Sequence, residues 1–233
     1  MDFKKELLEL GIELNEKMSN QFASYYNILV ETNDKMNLTA ITEEEEVYCK
    51  HFVDSLEITR VIGLDKEFSL CDVGSGAGFP SVPYAIVNKN VSVTIIDALN
   101  KRINFLNNLV KEIDLPNVKA IHARAEDFAK EKREYFDVVT ARAVARMNVL
   151  VELCLPLTKV GGVMVAMKGS SGKEELDEAI KAINVLGGTV IKTLSVDLPD
   201  DMGKREIIVI KKVKSTPTKY PRQFSKIKER PIG

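Results

Sequence analysis

Asp72-Val73-Gly74-Ser75-Gly76-Ala77-Gly78-Phe79-Pro80 is the stretch on which the reading of this chain turns. An apolar run, Phe68–Val73, leads into it, and a helical stretch starts at Pro80. Its glycines let the backbone turn tightly and approach a ligand where a Cβ would intrude. Pro80 and Pro83 are tolerated because the amides of a first helical turn have no intrahelical acceptor to lose. Asp97 ends the next apolar run, 19 residues past Gly78. An acid at that point can accept hydrogen bonds from both hydroxyls of a ribose. Such a loop and acid suit a nicotinamide dinucleotide or the adenosine of S-adenosylmethionine. The dinucleotide fingerprint G-x-G-x-x-G would place its third glycine at position 79, which is Phe79. The chain reads G-x-G-x-G instead, with Asp72 two residues ahead. That spacing favours the methyl donor over the dinucleotide.

The pattern around the loop carries the same message. Apolar runs at Phe68–Val73, Val91–Ile96, Val118–His122, Phe136–Thr140 and Val163–Met167 are interleaved with helical stretches from Pro80, Lys101–Ile113, Met147–Leu157 and Lys173–Leu186. Runs apolar on both faces and separated by helices indicate a parallel sheet covered on both sides. Val190–Val196 and Glu206–Val213 follow with only a turn-rich Pro199, Asp200, Asp201, Gly203 connection between them, so this last pair should be antiparallel. The fold class expected is α/β: a doubly wound, seven-stranded, Rossmann-like sheet of the class I S-adenosylmethionine-dependent methyltransferase kind, with a terminal antiparallel pair. Residues 1–66 form a small helical N-terminal extension, 67–213 the methyltransferase domain and 214–233 a basic C-terminal tail. In the extension, Leu7, Leu14, Met18, Phe22, Tyr25 and Leu29 recur at helical spacing, as one face. Thr42 and Glu45 have the spacing of a capping box.

With 233 residues and 45% hydrophobic content the chain can bury a sizeable core unaided. No apolar stretch reaches the length of a membrane span. The opening MDFKKELLEL lacks the apolar run of a secretory signal. Cys49, Cys71 and Cys154 are odd in number and set apart in apolar surroundings, which fits reduced thiols in a cytoplasm. His51 and His122 pair with no cysteine or acid at ligand spacing, so no metal is expected. The net charge of −1 argues at first against a polyanionic partner. It is unevenly spread. From Lys211 onward eight Lys and Arg face Glu229 alone, a net of +7, which leaves −8 on the preceding 210 residues. Tyr220 and Phe224 are spaced among those charges. The segment reads either as a solvated tail, ordered by a partner if at all, or as an arm that neutralises phosphates while its aromatics stack on bases. Composition does not choose between them.

Further motifs then identify a family resemblance. Asn37-Leu38-Thr39, His51-Phe52-Val53-Asp54-Ser55, Asp72 to Pro80, Asp97-Ala98-Leu99-Asn100-Lys101-Arg102, Arg124-Ala125-Glu126, Thr140-Ala141-Arg142-Ala143, Met167-Lys168-Gly169 and Lys219-Tyr220-Pro221-Arg222 occur in order over nearly the whole chain. In this the chain resembles the RsmG (GidB) family of bacterial methyltransferases that modify guanine N7 in small-subunit ribosomal RNA. The resemblance implies cofactor contacts at Gly74, Phe79, Asp97, Ala98, Leu99, Ala125, Glu126 and Arg142; Gly76 joins them from the loop pattern. It implies S-adenosylmethionine as cofactor. It also implies small-subunit ribosomal RNA, presented by a small ribosomal subunit or an assembly intermediate, as partner. A monomer is expected.

The residues constrain the acceptor. Exocyclic amine methylation usually employs an N/D-P-P-Y/F motif after the fourth strand, where this chain reads Thr140-Ala141-Arg142-Ala143-Val144. Carbon methylation of a pyrimidine needs a cysteine nucleophile near the same place, and Cys154 lies beyond it on an apolar helical face. Exclusion thus permits guanine N7, which needs neither deprotonation nor covalent activation; the resemblance selects it. Catalysis then rests mainly on alignment. Arg142, at the carboxyl edge of the fourth strand, is the positioning residue expected, toward either the cofactor carboxylate or the guanine. Arg146, Lys168, Lys219, Tyr220 and Arg222 are the RNA-binding residues expected, with a plain surface role as the alternative for Arg146 and Lys168. His51 beside Asp54 reads as structural or RNA-facing rather than as a base. The competing functions are a small-molecule methyl acceptor on the same fold and a non-catalytic RNA-binding protein.

Overall fold

The computed structural model describes residues 1–232; Gly233, the end of the basic tail, lies outside the described residues. Strands β1 (Phe68–Val73), β2 (Val91–Asp97), β3 (Val118–His122), β4 (Phe136–Arg142), β5 (Thr158–Lys168), β6 (Gly188–Asp197) and β7 (Lys204–Lys212) form one sheet in the order β3-β2-β1-β4-β5-β7-β6. The first five run parallel, and β7 pairs antiparallel with both β5 and β6. The sequence foresaw the antiparallel partnership; insertion of the last strand between the two before it is a tertiary feature that local pattern does not encode. In register, Asp72 lies beside Ile95 on one side and Thr140 on the other. This aligns the carboxyl ends of β1, β2 and β4, so that Val73, Asp97 and Arg142 finish at one edge. Open α/β sheets bind ligands at that edge.

Two apolar layers cover the sheet. On one face α6 (Ser81–Val87) and α7 (Asn100–Glu112) pack with the N-terminal helices around Phe22, Tyr25, Phe52, Leu70, Ile95 and Leu106. On the other, α8 (Ala125–Glu131), α9 (Met147–Cys154) and α10 (Gly172–Val185) pack around Cys71, Val139, Leu150, Met164 and Ile183. Cys71 and Cys154 are fully buried there, and burial raises both thiols well above their ordinary range. Both are core.

The N-terminal extension shares the first layer rather than standing apart. The helical face expected from Leu7 to Leu29 is divided into α1 (Phe3–Glu9) and α2 (Glu16–Met36), because Gly11 takes φ +75° and turns the chain between them. Asn15 caps α2, its side chain accepting from Met18 N–H at 2.9 Å. The capping box expected at Thr42 and Glu45 is absent. Residue 43 is the N-cap of α3 (Glu44–Val47), without a side-chain cap, and Glu45 pairs with the amino terminus at 2.5 Å. An available cation outcompetes the local backbone amide. A π-helical turn, Tyr48–Val53, carries α3 into α4 (Asp54–Leu56) and α5 (Thr59–Ile62). π-turns often occur at functional sites, and this one presents Lys50 and His51 to the sheet edge.

The basic tail is docked on the body of the chain. Arg133 donates to the carbonyls of Thr216 at 2.6 Å and Tyr220 at 2.8 Å. Arg222 makes three hydrogen bonds, at 2.7–2.9 Å, to the fully buried carboxylate of Glu152. A last short helix, α11 (Phe224–Glu229), buries Ile227 in the second apolar layer. Lys212 is also buried, its ammonium held by Leu155 O at 2.6 Å, by Thr216 and by Glu134 at 3.3 Å, with burial lowering its pKa to about 8. Composition missed this because Arg133, Glu134 and Glu152, the groups that fasten the tail, lie 70 to 87 residues away in sequence.

Candidate active site

Two clefts open at the carboxyl edge and meet at Ala143. The first, of about 380 Å³, runs from Gly74 past Asp97, Ala98 and Leu99 to Ala125, Glu126 and Phe224, with Val144 on its wall. The second, of about 400 Å³, lies between the sheet edge and the N-terminal helices and is lined by Lys50, His51, Asp54, Arg142, Lys168 and Arg205. Ala143 lines both and holds a left-handed φ of +56°, an uncommon conformation for alanine. It is the residue that turns the chain out of β4 after Arg142.

The glycine loop shapes the first cleft. Gly74 has φ +71°, and a Cβ there would come to 3.0 Å from Val144. Gly78 has φ +107° and no room for a side chain, since Tyr25 Oη, Val82 and Leu106 close around it. The loop is pinned from two sides. Tyr25 Oη donates to Ala77 O at 2.6 Å, and Ser81 N–H donates to Asp72 at 3.2 Å. Asp72 is fully buried, its other oxygen has no hydrogen-bond partner among the described residues, and burial pushes its pKa up to about 7. Asp97 accepts from Leu99 N–H at 2.8 Å and from Arg102 at 3.2 Å. A carboxylate offers about four acceptor positions, so capacity remains for ribose hydroxyls. Glycine clearance, a buried acid and apolar rims fit an adenosine-bearing methyl donor.

The second cleft is a charged pocket on an aromatic floor. Arg142 Nη1 donates to Asp54 at 2.9 Å and to Lys50 O at 3.3 Å, and its guanidinium lies 4.9 Å from the centre of the Phe79 ring. Arg205 reaches the same Asp54 oxygen at 2.9 Å. His51 stacks on Phe79 at 4.5 Å, its Nε2 2.8 Å from Thr39 Oγ1 and its Nδ1 3.3 Å from Arg142 Nη2. Burial and the neighbouring Arg142 charge bring the His51 pKa down to about 4, so the ring is neutral at physiological pH. Tyr25 also stacks on Phe79, at 5.4 Å.

The expected residues therefore divide. Gly74, Asp97, Ala98, Leu99, Ala125 and Glu126 come together in the first cleft. Gly76 turns the loop at φ +63° without lining it. Phe79 and Arg142 sit on the other side of Ala143, with the second cleft. Lys168 is there too, but its ammonium is engaged by Ala145 O and Glu175, both at 2.7 Å. Arg146 is exposed and paired with Glu178 at 2.5 Å. Lys219 and Arg222 border a separate basic hollow that meets the first cleft at Glu126, and Tyr220 lies under both cations at 5.2 and 5.8 Å. Sequence reading missed Lys50 and Arg205 as site residues and gave Asp54 no role. Arg205 carries no motif and reaches the pocket only through the antiparallel β7. Among the described residues no three His, Cys, Asp or Glu side chains are grouped to hold a metal, and no helix is long and apolar enough to cross a membrane.

Known proteins resemble this chain in fold and in sequence. The solved Precorrin-6y C5,15-methyltransferase of Geobacter metallireducens superimposes with a TM-score of 0.54 at 17% identity, covering 74% of this chain and 90% of that one, which speaks to the fold. The ribosomal RNA small subunit methyltransferase G of Staphylococcus saprophyticus is 54% identical over 94% of this chain and 92% of its own length. That of Staphylococcus carnosus is 52% identical over 98% of this chain and 96% of its own. The family model described as rRNA small subunit methyltransferase G matches residues 18–207. This chain belongs to the rRNA small subunit methyltransferase G family.

Proposed function

We propose that the chain methylates N7 of a guanine in small-subunit ribosomal RNA, acting in the cytoplasm as a monomer, with S-adenosylmethionine held in the first cleft and the target base in the second. The observation that carries this reading is the meeting of the clefts at Ala143, beside the strand-end Arg142. In-line transfer needs donor and acceptor to face each other across one short gap, and alignment of that kind can supply several kcal/mol of barrier reduction, on the order of 7–11 for well-oriented intramolecular cases.

The cofactor, when bound, supplies an electrophilic methyl group on a sulfonium. The chain's own residues do the rest. Gly74 leaves the wall open beside Val144, and Asp97 accepts from the ribose hydroxyls. Arg142, fixed by Asp54 and Phe79, offers fork hydrogens to guanine O6, which leaves N7 free to react. Its charge also opposes protonation of N7. His51, neutral and buried, carries a single ring N–H and serves as part of the base-facing wall. Lys50, which also pairs with Glu46, and Arg205, which also pairs with Asp54, line the second cleft and suit backbone phosphates.

The test is mass mapping of rRNA nucleosides from cells with and without this protein. One 7-methylguanosine should vanish from the small-subunit RNA of the deleted strain and return with the wild-type gene. An unchanged nucleoside map rejects the reading.

A further inference from the structure

Among the described residues, few large apolar side chains stand exposed, and three of them rim one cavity. Leu99 is 45% exposed, Val144 37% and Phe224 36%, and all three line the first cleft. Val144 stands by Gly74 and Ala143, at the end shared with the second cleft. Leu99 lines the same cleft next to Asp97, and Phe224 next to Glu126. The reactive methyl must lie where the clefts meet, and the sulfonium that bears it carries two arms, adenosyl and amino-acid. Asp97, the ribose acceptor, is bonded to Leu99 N–H in the same cleft, so the adenosyl arm, ending in adenine, runs toward Leu99.

Phe224 comes from the docked tail, and it is held there by specific contacts. Its backbone N–H donates to Glu126 Oε1 at 3.3 Å. Two residues earlier Arg222 is clamped to Glu152, and three residues later Ile227 is fully buried. The segment is anchored on both sides while Phe224 keeps about a third of its surface open to the cleft. Glu126 is itself buried, and only one of its acceptor positions serves Phe224. Beside two apolar side chains, that acceptor matches the 6-amino group of a purine.

The geometry points to Phe224 as a cofactor-binding residue that, with Leu99, closes the adenine end of the cleft, making the basic tail a wall of the cofactor site. This rests on the assignment of S-adenosylmethionine to the first cleft. It also replaces the role that composition suggested for this aromatic, stacking on an RNA base.

Isothermal titration of the full-length chain with S-adenosylhomocysteine and with methylthioadenosine, which lacks the amino-acid end, tests it. Phe224→Ala should weaken both ligands about tenfold and by a similar factor, as loss of one aromatic stack on a base does. Phe224→Leu, which keeps apolar bulk without a ring face, should show most of the loss, and Phe224→Trp should restore affinity to within about twofold. Wild-type binding with equal affinity in Phe224→Ala overturns the inference and spares the cofactor assignment. So does a variant that loses rRNA affinity alone. Failure of the wild type to bind either ligand overturns both.

Discussion

Arg142 at the end of β4 donates to Asp54 on the N-terminal helices at 2.9 Å, and Arg205 of β7 reaches the same carboxylate oxygen at 2.9 Å. One buried acid thus fixes two cations from different strands. Removing it leaves both uncompensated. Asp54→Ala should destabilise the fold by about 3–5 kcal/mol in urea unfolding. Arg142→Lys keeps the charge but loses the planar fork. It should slow single-turnover methyl transfer at least about tenfold with a much smaller loss of stability. Equal damage to folding and to transfer would show that Arg142 acts only as scaffold.

His51 titrates near pH 4 when folded, against about 6.5 for an unfolded histidine. As pH falls below 6.5 the unfolded chain takes up a proton that the folded ring refuses. The stability tied to neutral His51 is complete above that pH and drains away until about pH 4. His51→Gln removes the titration. The wild-type advantage over this variant should shrink by about 2 kcal/mol between about pH 7.5 and about pH 5. A difference that stays constant with pH would contradict the assignment.

Asp72 has the opposite sign. Its folded pKa of about 7 lies above the unfolded value, so its protonated form favours the fold at low pH and the advantage is lost as pH rises through 7. Asp72→Asn can still accept from Ser81 N–H. It should stabilise the protein by on the order of 1–3 kcal/mol at about pH 8, with the gain fading toward pH 4. Lower stability at pH 8 would mean that the carboxylate, despite its burial, is favoured in the fold.

Gly74 has both a left-handed backbone and a close neighbour. Gly74→Ala should reduce stability by about 1 kcal/mol through φ +71° and weaken S-adenosylhomocysteine binding several-fold through the contact with Val144. Adding Val144→Ala should recover part of the binding and none of the backbone strain. Full recovery of both in calorimetry and unfolding would show the strain to be absent.

Arg222 supports the tail through a buried partner. Arg222→Ala strands the Glu152 charge in the second apolar layer and should cost about 3 kcal/mol in denaturant unfolding. A variant as stable as wild type would show that the Arg222–Glu152 pair contributes nothing to the folded body.

Local signals carried much of this. The loop from Asp72, Asp97 at a strand end and the alternation of apolar runs with helices specify a doubly wound sheet and half of the site, because backbone chemistry at βα turns is written in consecutive residues. What stayed hidden depends on distant pairing. Arg205 enters through strand insertion, Asp54 acquires its role only when β4 and β7 arrive beside it, and Glu152 converts a tail with no apolar periodicity into a docked strap. Arg146 and Lys168 were legible by position, but their acids, Glu178 and Glu175 on α10, were not. Phe224 is legible as an aromatic, but its place in the first cleft is not, since its neighbour Glu126 is nearly a hundred residues away.

The central claim is that the two clefts align a methyl donor with guanine N7 of ribosomal RNA. Its most direct test is transfer of a labelled methyl group by the purified chain to small-subunit RNA or subunits from cells lacking it, with the product base identified. Label in 7-methylguanine at a single site, abolished by Arg142→Ala, is the result predicted. Cofactor binding without transfer to any form of the RNA, or label on an exocyclic amine or a ring carbon, would contradict it.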